Sequence, residues 1–290
     1  MIYLTSYCSR KPSIAQAVEE LASLGIRNIE LTGGTSHEEF SAIQLYDLLE
    51  EYDLEFLIHN YFPPQKDDFV LNLASDDRYI RANTLALIRQ AVHLSQRFSQ
   101  NLYSIHAGYA HDLLPQKGDN GLFLAKSSSE NSYTVFYQTL ELISSQMLPE
   151  GFQLAVENAF PAYGDNNFSL LSGPKEILTF LDFCSEHPNV GLLLDLGHLN
   201  VASRYLGFDK FAFLKKLVRE FSHKIFEIHV SSNDGLRDTH DISTIDSFEI
   251  QFIHEHWAFF RQTPIVLEWH QNLSLQTCKE YERIVSYLSN

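Results

Sequence analysis

Six side chains capable of binding metal, His59, His106, Glu157, Asp195, His229 and Glu268, are spread along most of the chain, yet each falls at the end of a short β-rich segment. Imidazole and carboxylate are good ligands for zinc, manganese or iron, and side chains from separate strands can fix a coordination geometry without any local motif. Taken singly, a buried histidine is more often a satisfied core group, and a strand-end glutamate can simply pair with a neighbouring base. Unpaired acids gathered in one place are costly to bury, so convergence of all six favours a metal. Two local groups extend the set. Asp195-Leu-Gly-His198 puts a second imidazole just after an acid, and His229 is followed by Asn233-Asp234-Gly-Leu-Arg237-Asp238-Thr-His240. Asp238 and His240 are further ligand candidates, carried back over the pocket by their loop. Arg237 offers a rigid fork to a substrate carboxylate or phosphate, or an ion pair within its own acidic loop. His37, His93, His111, His187, His223, His254, His256 and His270 lack comparable placement and read as surface or packing residues.

Bringing such residues together requires elements that share one axis. Short apolar or β-branched segments alternate with amphipathic stretches, as expected of a parallel sheet covered by crossover helices. Strands are predicted over Ile2 to Thr5, Asn28 to Leu31, Leu54 to His59, Leu102 to His106, Phe152 to Glu157, Val190 to Asp195, Ile225 to Val230 and Ile265 to Glu268. Helices are predicted over Ser13 to Leu24, His37 to Tyr52, Asp77 to Phe98, Glu130 to Met147, from Pro174 onward, Ser247 to Phe260 and Leu275 to Leu288. Eight such strands close a (β/α)8 TIM barrel, and residues 1–290 read as one domain of that kind. An open doubly wound sheet would have fewer strands and a glycine-rich first turn, and the pair Gly33-Gly34 reads instead as a tight turn. The long connections Asn60 to Ser75, Ala107 to Ser129 and Ser231 to Asp246 leave strand carboxyl ends and can shape a pocket; the second reads as a lid or a plain surface loop.

Composition narrows the classes. Lys and Arg number 21 against 37 Asp and Glu, a formal charge of −16, which argues against a nucleic-acid partner in the absence of a basic face. Lys215, Lys216 and Arg219 read as a solvated helix surface. No apolar run approaches the roughly 20 residues that span hydrocarbon. Cys8, Cys184 and Cys278 are odd in number and far apart, fitting buried thiols in a reducing compartment, and the amino terminus lacks a secretory pattern, so a cytoplasmic location is expected.

The chain resembles the xylose isomerase-like TIM barrel superfamily, which includes sugar and sugar-phosphate isomerases and epimerases and the trinuclear-zinc apurinic endonucleases. The resemblance is carried by Ile58-His-Asn-Tyr-Phe-Pro63, Leu71-Asn-Leu-Ala-Ser75, Ile105-His-Ala-Gly108, Val156-Glu-Asn158, Asp195-Leu-Gly-His198, His229 through His240, and Leu267-Glu268. In the isomerase branch it implies one divalent ion on Glu157, Asp195, His229 and Glu268, with Glu157 and Glu268 as the catalytic pair flanking the substrate carbon. In the endonuclease branch it implies metal ligands at His59, His106, Glu157, Asp195, His198, His229, Asp238, His240 and Glu268. The loop from His229 to Asp238 is shorter than in those endonucleases, and Ser231-Ser232 departs from their continuation. Glu157-Asn158-Ala159-Phe160-Pro161 lacks the lysine of the hydride-shift xylose isomerases, which argues against their mechanism.

The expectation is therefore a zinc- or manganese-dependent isomerase or epimerase holding one to three ions and acting on a small sugar, sugar phosphate or polyol. Glu157 and Glu268 exchange a proton through an enediolate, and His198 and Arg237 are the substrate-binding candidates. A multi-zinc phosphoesterase is the alternative reading, and a non-catalytic metal-stabilised barrel is the third.

Overall fold

The computed structural model describes residues 1–33, 37, 40–67, 69–114, 124–128, 131–161 and 168–289. In chain order, β1 (Ile2–Thr5) leads to α1 (Ile14–Ser23), β2 (Asn28–Leu31) to α2 (Ala42–Tyr52), and β3 (Glu55–Ile58) to α3 (Arg78–Arg97). After β4 (Leu102–His106) come β5 (His111–Leu114), β6 (Leu124–Ser128) and α4 (Ser132–Gln146), then β7 (Gln153–Glu157) and α5 (Pro174–Glu186). The last third holds β8 (Val190–Asp195), α6 (Leu196–Leu206), α7 (Lys210–Phe221), β9 (Ile225–Val230), α8 (Phe248–Glu255), α9 (Trp257–Phe260), β10 (Ile265–Leu267) and α10 (Leu275–Ser289).

Eight of these strands form one parallel sheet in the order β3-β2-β1-β10-β9-β8-β7-β4. The two ends of that order meet through a parallel bridge between His59 and Ser104, with the Asn60 N–H donating to the Ser104 carbonyl at 2.8 Å, so the sheet closes into a barrel. All six residues of β8 are buried, as expected when helices cover one face and the barrel interior the other. Helix starts are fixed by side-chain caps: Ser13 accepts from the Gln16 N–H, Asp77 from Tyr79 and Ile80, and Asp209 from Phe211 and Ala212. At α5, Pro174 stands in the first turn and Glu176 reaches back to the Ser172 N–H at 2.8 Å.

Inside the barrel, Tyr3, Leu57, Leu102, Ala155, Leu193 and Val266 pack as a separate apolar cluster. Side chains two apart on a strand share a face, so the layer above this plug is set by the same strands. His59 lies two residues beyond Leu57, Glu157 beyond Ala155, Asp195 beyond Leu193 and Glu268 beyond Val266, while His106 lies four beyond Leu102.

Several expectations need correction. The Ala107 to Ser129 segment contains the antiparallel hairpin β5–β6, with a bulge at Asp112 and Leu113; residues 115–123 and 129–130 lie outside the described residues. A helix, α6, starts directly at Leu196, because Asp195 Oδ1 accepts from the His198 N–H at 2.6 Å and caps it. The helix expected from His37 begins at Ala42, with residues 38–39 outside the described set, as is Gly34; the one expected over Ser247 to Phe260 breaks at His256 into α8 and α9. Among the described residues, no helix is long and apolar enough to cross a membrane.

Candidate metal centre

Glu157 stands at the centre of the barrel mouth. Its Oε2 lies 3.1 Å from His106 Nε2 and 3.6 Å from His59 Nε2, and its Oε1 lies 3.0 Å from His198 Nδ1. Beside it, His229 Nδ1 is 3.2 Å from Glu268 Oε2, and Asp238 Oδ2 is 3.2 Å from His198 Nε2 and 2.7 Å from His240 Nε2. Among the described residues, five groups have donor atoms that all lie within 4.8 Å of one another: His59-His106-Glu157, Glu157-Asp195-His229-Glu268 and His198-Asp238-His240, which hold the ligand candidates, and Glu30-His59-His229 and His240-Glu268-His270. All nine residues singled out as ligand candidates are thus brought together. Their register is less uniform than the spacing suggested: His106, Glu157 and Asp195 end their strands, His59 and Glu268 stand one residue beyond, and His229 is next to last.

The loop carrying Asp238 and His240 is closed at its base by reciprocal backbone hydrogen bonds of 2.9 Å between Ser232 and Asp241. Ser231 packs against the first turn of α6 so closely that a Cβ at Gly197 would sit 2.5 Å from its Oγ. The unusual serine pair therefore seats the loop against the helix that presents His198.

This is a buried, electrically crowded place. Burial pushes the Asp195 carboxyl up to about 7 and the His59 imidazole down to about 3. Burial opposes charge on Glu157 and Glu268 too, but the surrounding histidines, His106 and His198 for the first and His240 and His229 for the second, hold both below the ordinary carboxylate range. Both Glu157 oxygens, Asp195 Oδ2 and Asp238 Oδ1 are buried and lack a hydrogen-bond donor of good geometry. Orphaned carboxylate oxygens facing imidazoles that are anchored elsewhere form a donor set that fits divalent transition ions.

A cavity of about 530 Å³ opens over these groups. Tyr7, Tyr61, Tyr109 and Phe160 supply aromatic wall, while His59, His106, Glu157, His198, Asp238, His240 and Glu268 supply the floor. Of the two substrate-binding expectations, His198 lines the cavity. Arg237 is exposed and does not line it: its backbone N–H donates to Asp234 Oδ1, and the turn carries the side chain outward. Sequence reasoning also set His270 aside, yet it lines the cavity and stacks on His240 with ring centroids 3.8 Å apart. Its position two residues beyond Glu268 is the signal for it. Two buried acids, Glu30 and Glu227, were missed as well; each is a carboxylate flanked by apolar neighbours within its strand.

Comparison with known proteins agrees with this architecture. The chain is 24% identical over 200 residues to uncharacterized protein MJ1311 of Methanocaldococcus jannaschii, covering 68% of this chain and 57% of that protein, so it spans little more than half the relative's length. A structure titled D-tagatose 3-epimerase-like protein superposes with a TM-score of 0.71 at 20% identity, over 99% of this chain and 97% of the other. Endonuclease IV from Thermus thermophilus superposes with a TM-score of 0.59 at 16% identity, over 99% of this chain and 98% of the other. At these identities the likeness is one of fold. The family described as xylose isomerase-like TIM barrel matches residues 18–270, and with its eight-stranded parallel barrel and strand-end ligand clusters, this chain belongs to that family.

Proposed function

We propose that this protein is a zinc- or manganese-dependent isomerase or epimerase of a small sugar, sugar phosphate or polyol, built as one domain over residues 1–290 and working in the cytoplasm. The observation that carries the reading is the buried quartet Glu157, Asp195, His229 and Glu268, with donor atoms within 4.8 Å of one another, of which Glu157 and Glu268 line a cavity large enough for a small carbohydrate. An ion held there supplies Lewis acidity to vicinal substrate oxygens. Glu157 comes from β7, and Glu268 stands just beyond β10, further round the barrel past β8 and β9. The two carboxylates therefore approach a bound substrate from different sides, one removing a proton from the carbon next to the carbonyl and the other returning it. The aromatic wall covers the apolar face of a sugar and excludes water, and the net charge of −16 suits a small substrate better than a long polyanion. Sugar epimerases among the similar structures support the same class.

The test is solvent deuterium incorporation at the reacting carbon, screened over ketoses, aldoses and their phosphates, with metal content measured beside turnover. Glu157→Gln and Glu268→Gln are expected to lower turnover by about 100- to 10,000-fold at undiminished folding. Near-wild-type isomerisation by both metal-replete variants would sink the two-glutamate mechanism. A second reading, hydrolysis of a phosphoester by a multi-zinc centre, is favoured by one observation: His198, Asp238 and His240 form a separate third group. Three tightly held zinc ions per chain together with phosphatase activity would decide for it; one ion with deuterium wash-in decides against it.

A further inference from the structure

Four of the five histidines among the ligand candidates, His59, His106, His198 and His240, have a neutral hydrogen-bonding group at Nδ1, whereas His229 meets only carboxylates. His198 and His240 each donate Nδ1–H to a backbone carbonyl, Asn158 at 2.9 Å and Glu268 at 3.1 Å, and turn Nε2 toward Asp238. His59 sets Nδ1 against Ser104 Oγ at 3.1 Å and turns Nε2 toward Glu157. His229 is mounted the other way round: Nδ1 faces Glu268, and Nε2 meets Glu30 Oε1 at 2.9 Å. That contact crosses the barrel, because β10 and β1 lie between β9 and β2 in the sheet. Glu30 and His229 are both fully buried, and Glu227, two residues before His229 on the same face, adds a further oxygen 3.4 Å from Nε2. Where the neighbouring strands place leucine, alanine and valine in this layer, β9 places an acid.

A neutral hydroxyl or carbonyl would fix the ring as well as a carboxylate does and would cost far less to bury. What a carboxylate adds is electron density. An imidazole whose N–H donates to a carboxylate is held in one tautomer and becomes a stronger donor through its other nitrogen. We infer that Glu30 is the positioning residue of the candidate metal centre: it accepts the Nε2 proton of His229, fixes the tautomer whose Nδ1 lone pair faces Glu268, and thereby sets the affinity for the ion held with Glu157, Asp195 and Glu268. The inference rests on the metal-centre part of the proposed function and is independent of the substrate.

The test uses the full chain and zinc itself. Zinc affinity is measured by competition with a chromophoric chelator for the wild type, Glu30→Gln and Glu30→Leu, and stability of the metal-free chains by denaturant unfolding. Glu30→Leu is expected to weaken the ion at His229 about 10- to 100-fold, while Glu30→Gln, which retains an acceptor oxygen, stays within about tenfold of wild type. Removing a buried charge should at the same time leave the metal-free Leu variant as stable as wild type or more so. A merely structural role would instead lower stability and leave affinity alone. Imidazole nitrogen shifts in the zinc-loaded wild type are expected to show His229 protonated at Nε2, a readout that holds even if the Leu variant fails to fold. Unprotonated Nε2, or unchanged affinity in a folded Leu variant, overturns the assignment to Glu30 alone. A wild type that binds no zinc removes the metal centre and this inference together.

Discussion

Glu157 serves two ligand groups at once, so protons and ions compete for the same atoms across the whole floor. Burial works against a charged His240, yet Glu268 and Asp238 carry its imidazole up from 6.5 to about 9, and acids likewise hold His198 and His229 up. In the metal-free chain these shifts favour the protonated rings, and an incoming ion would compete with those protons. A raised histidine stabilises the metal-free fold fully below its unfolded value and loses that contribution as pH rises through the folded one. The gap in melting temperature between zinc-loaded and metal-free chains should therefore widen from pH 6.5 to about 9. Paired melts across that range check it, and a gap that narrows would contradict the assignment. At this scale the ligand candidates were readable because acids and imidazoles at the ends of apolar strands are conspicuous. Arg237 lies outside the cavity lining because charge alone does not say which way a loop turns a side chain, and Glu30 escaped because its partner His229 is remote in sequence.

The strands were legible for the same reason the ligands were. A parallel strand buried on both faces reads as a continuous apolar run, and its polar exceptions mark the mouth. Elements lacking that signature were harder to find: the hairpin β5–β6 is short and polar, and α6 follows β8 with no intervening loop to announce it. The connections that build the cavity wall depend on contacts distant in sequence. Gly108, just after β4, has φ of +96°, and a Cβ there would lie 2.4 Å from Asn72 Oδ1 and 2.9 Å from its Cα. Asn72 in turn accepts from the N–H groups of Ala74 and Tyr109 and donates to Asp112, tying the segment after β3 to the one after β4. Gly108→Ala should cost about 2 kcal/mol or more from backbone strain and displacement of this hub. Denaturant midpoints with unchanged slope would measure it, and a neutral substitution would show that the wall yields freely.

The barrel as a whole is closed unevenly. Seven neighbouring strand pairs share registered ladders, whereas β3 and β4 meet through the single bridge at His59 and Ser104. The group His59-His106-Glu157 straddles that junction, with His59 following β3 and the other two on β4 and β7. Chelation should consequently speed amide exchange at Asn60, whose N–H crosses the junction, far more than at Ile228 within β9, and exchange measured with and without zinc distinguishes this from uniform loosening. An ion in that group acts as a clasp on a split ring. Parting of the ring would pull His59 away from the other two ligands, so mild denaturant should speed the stripping of the ion by a chelator before the barrel unfolds.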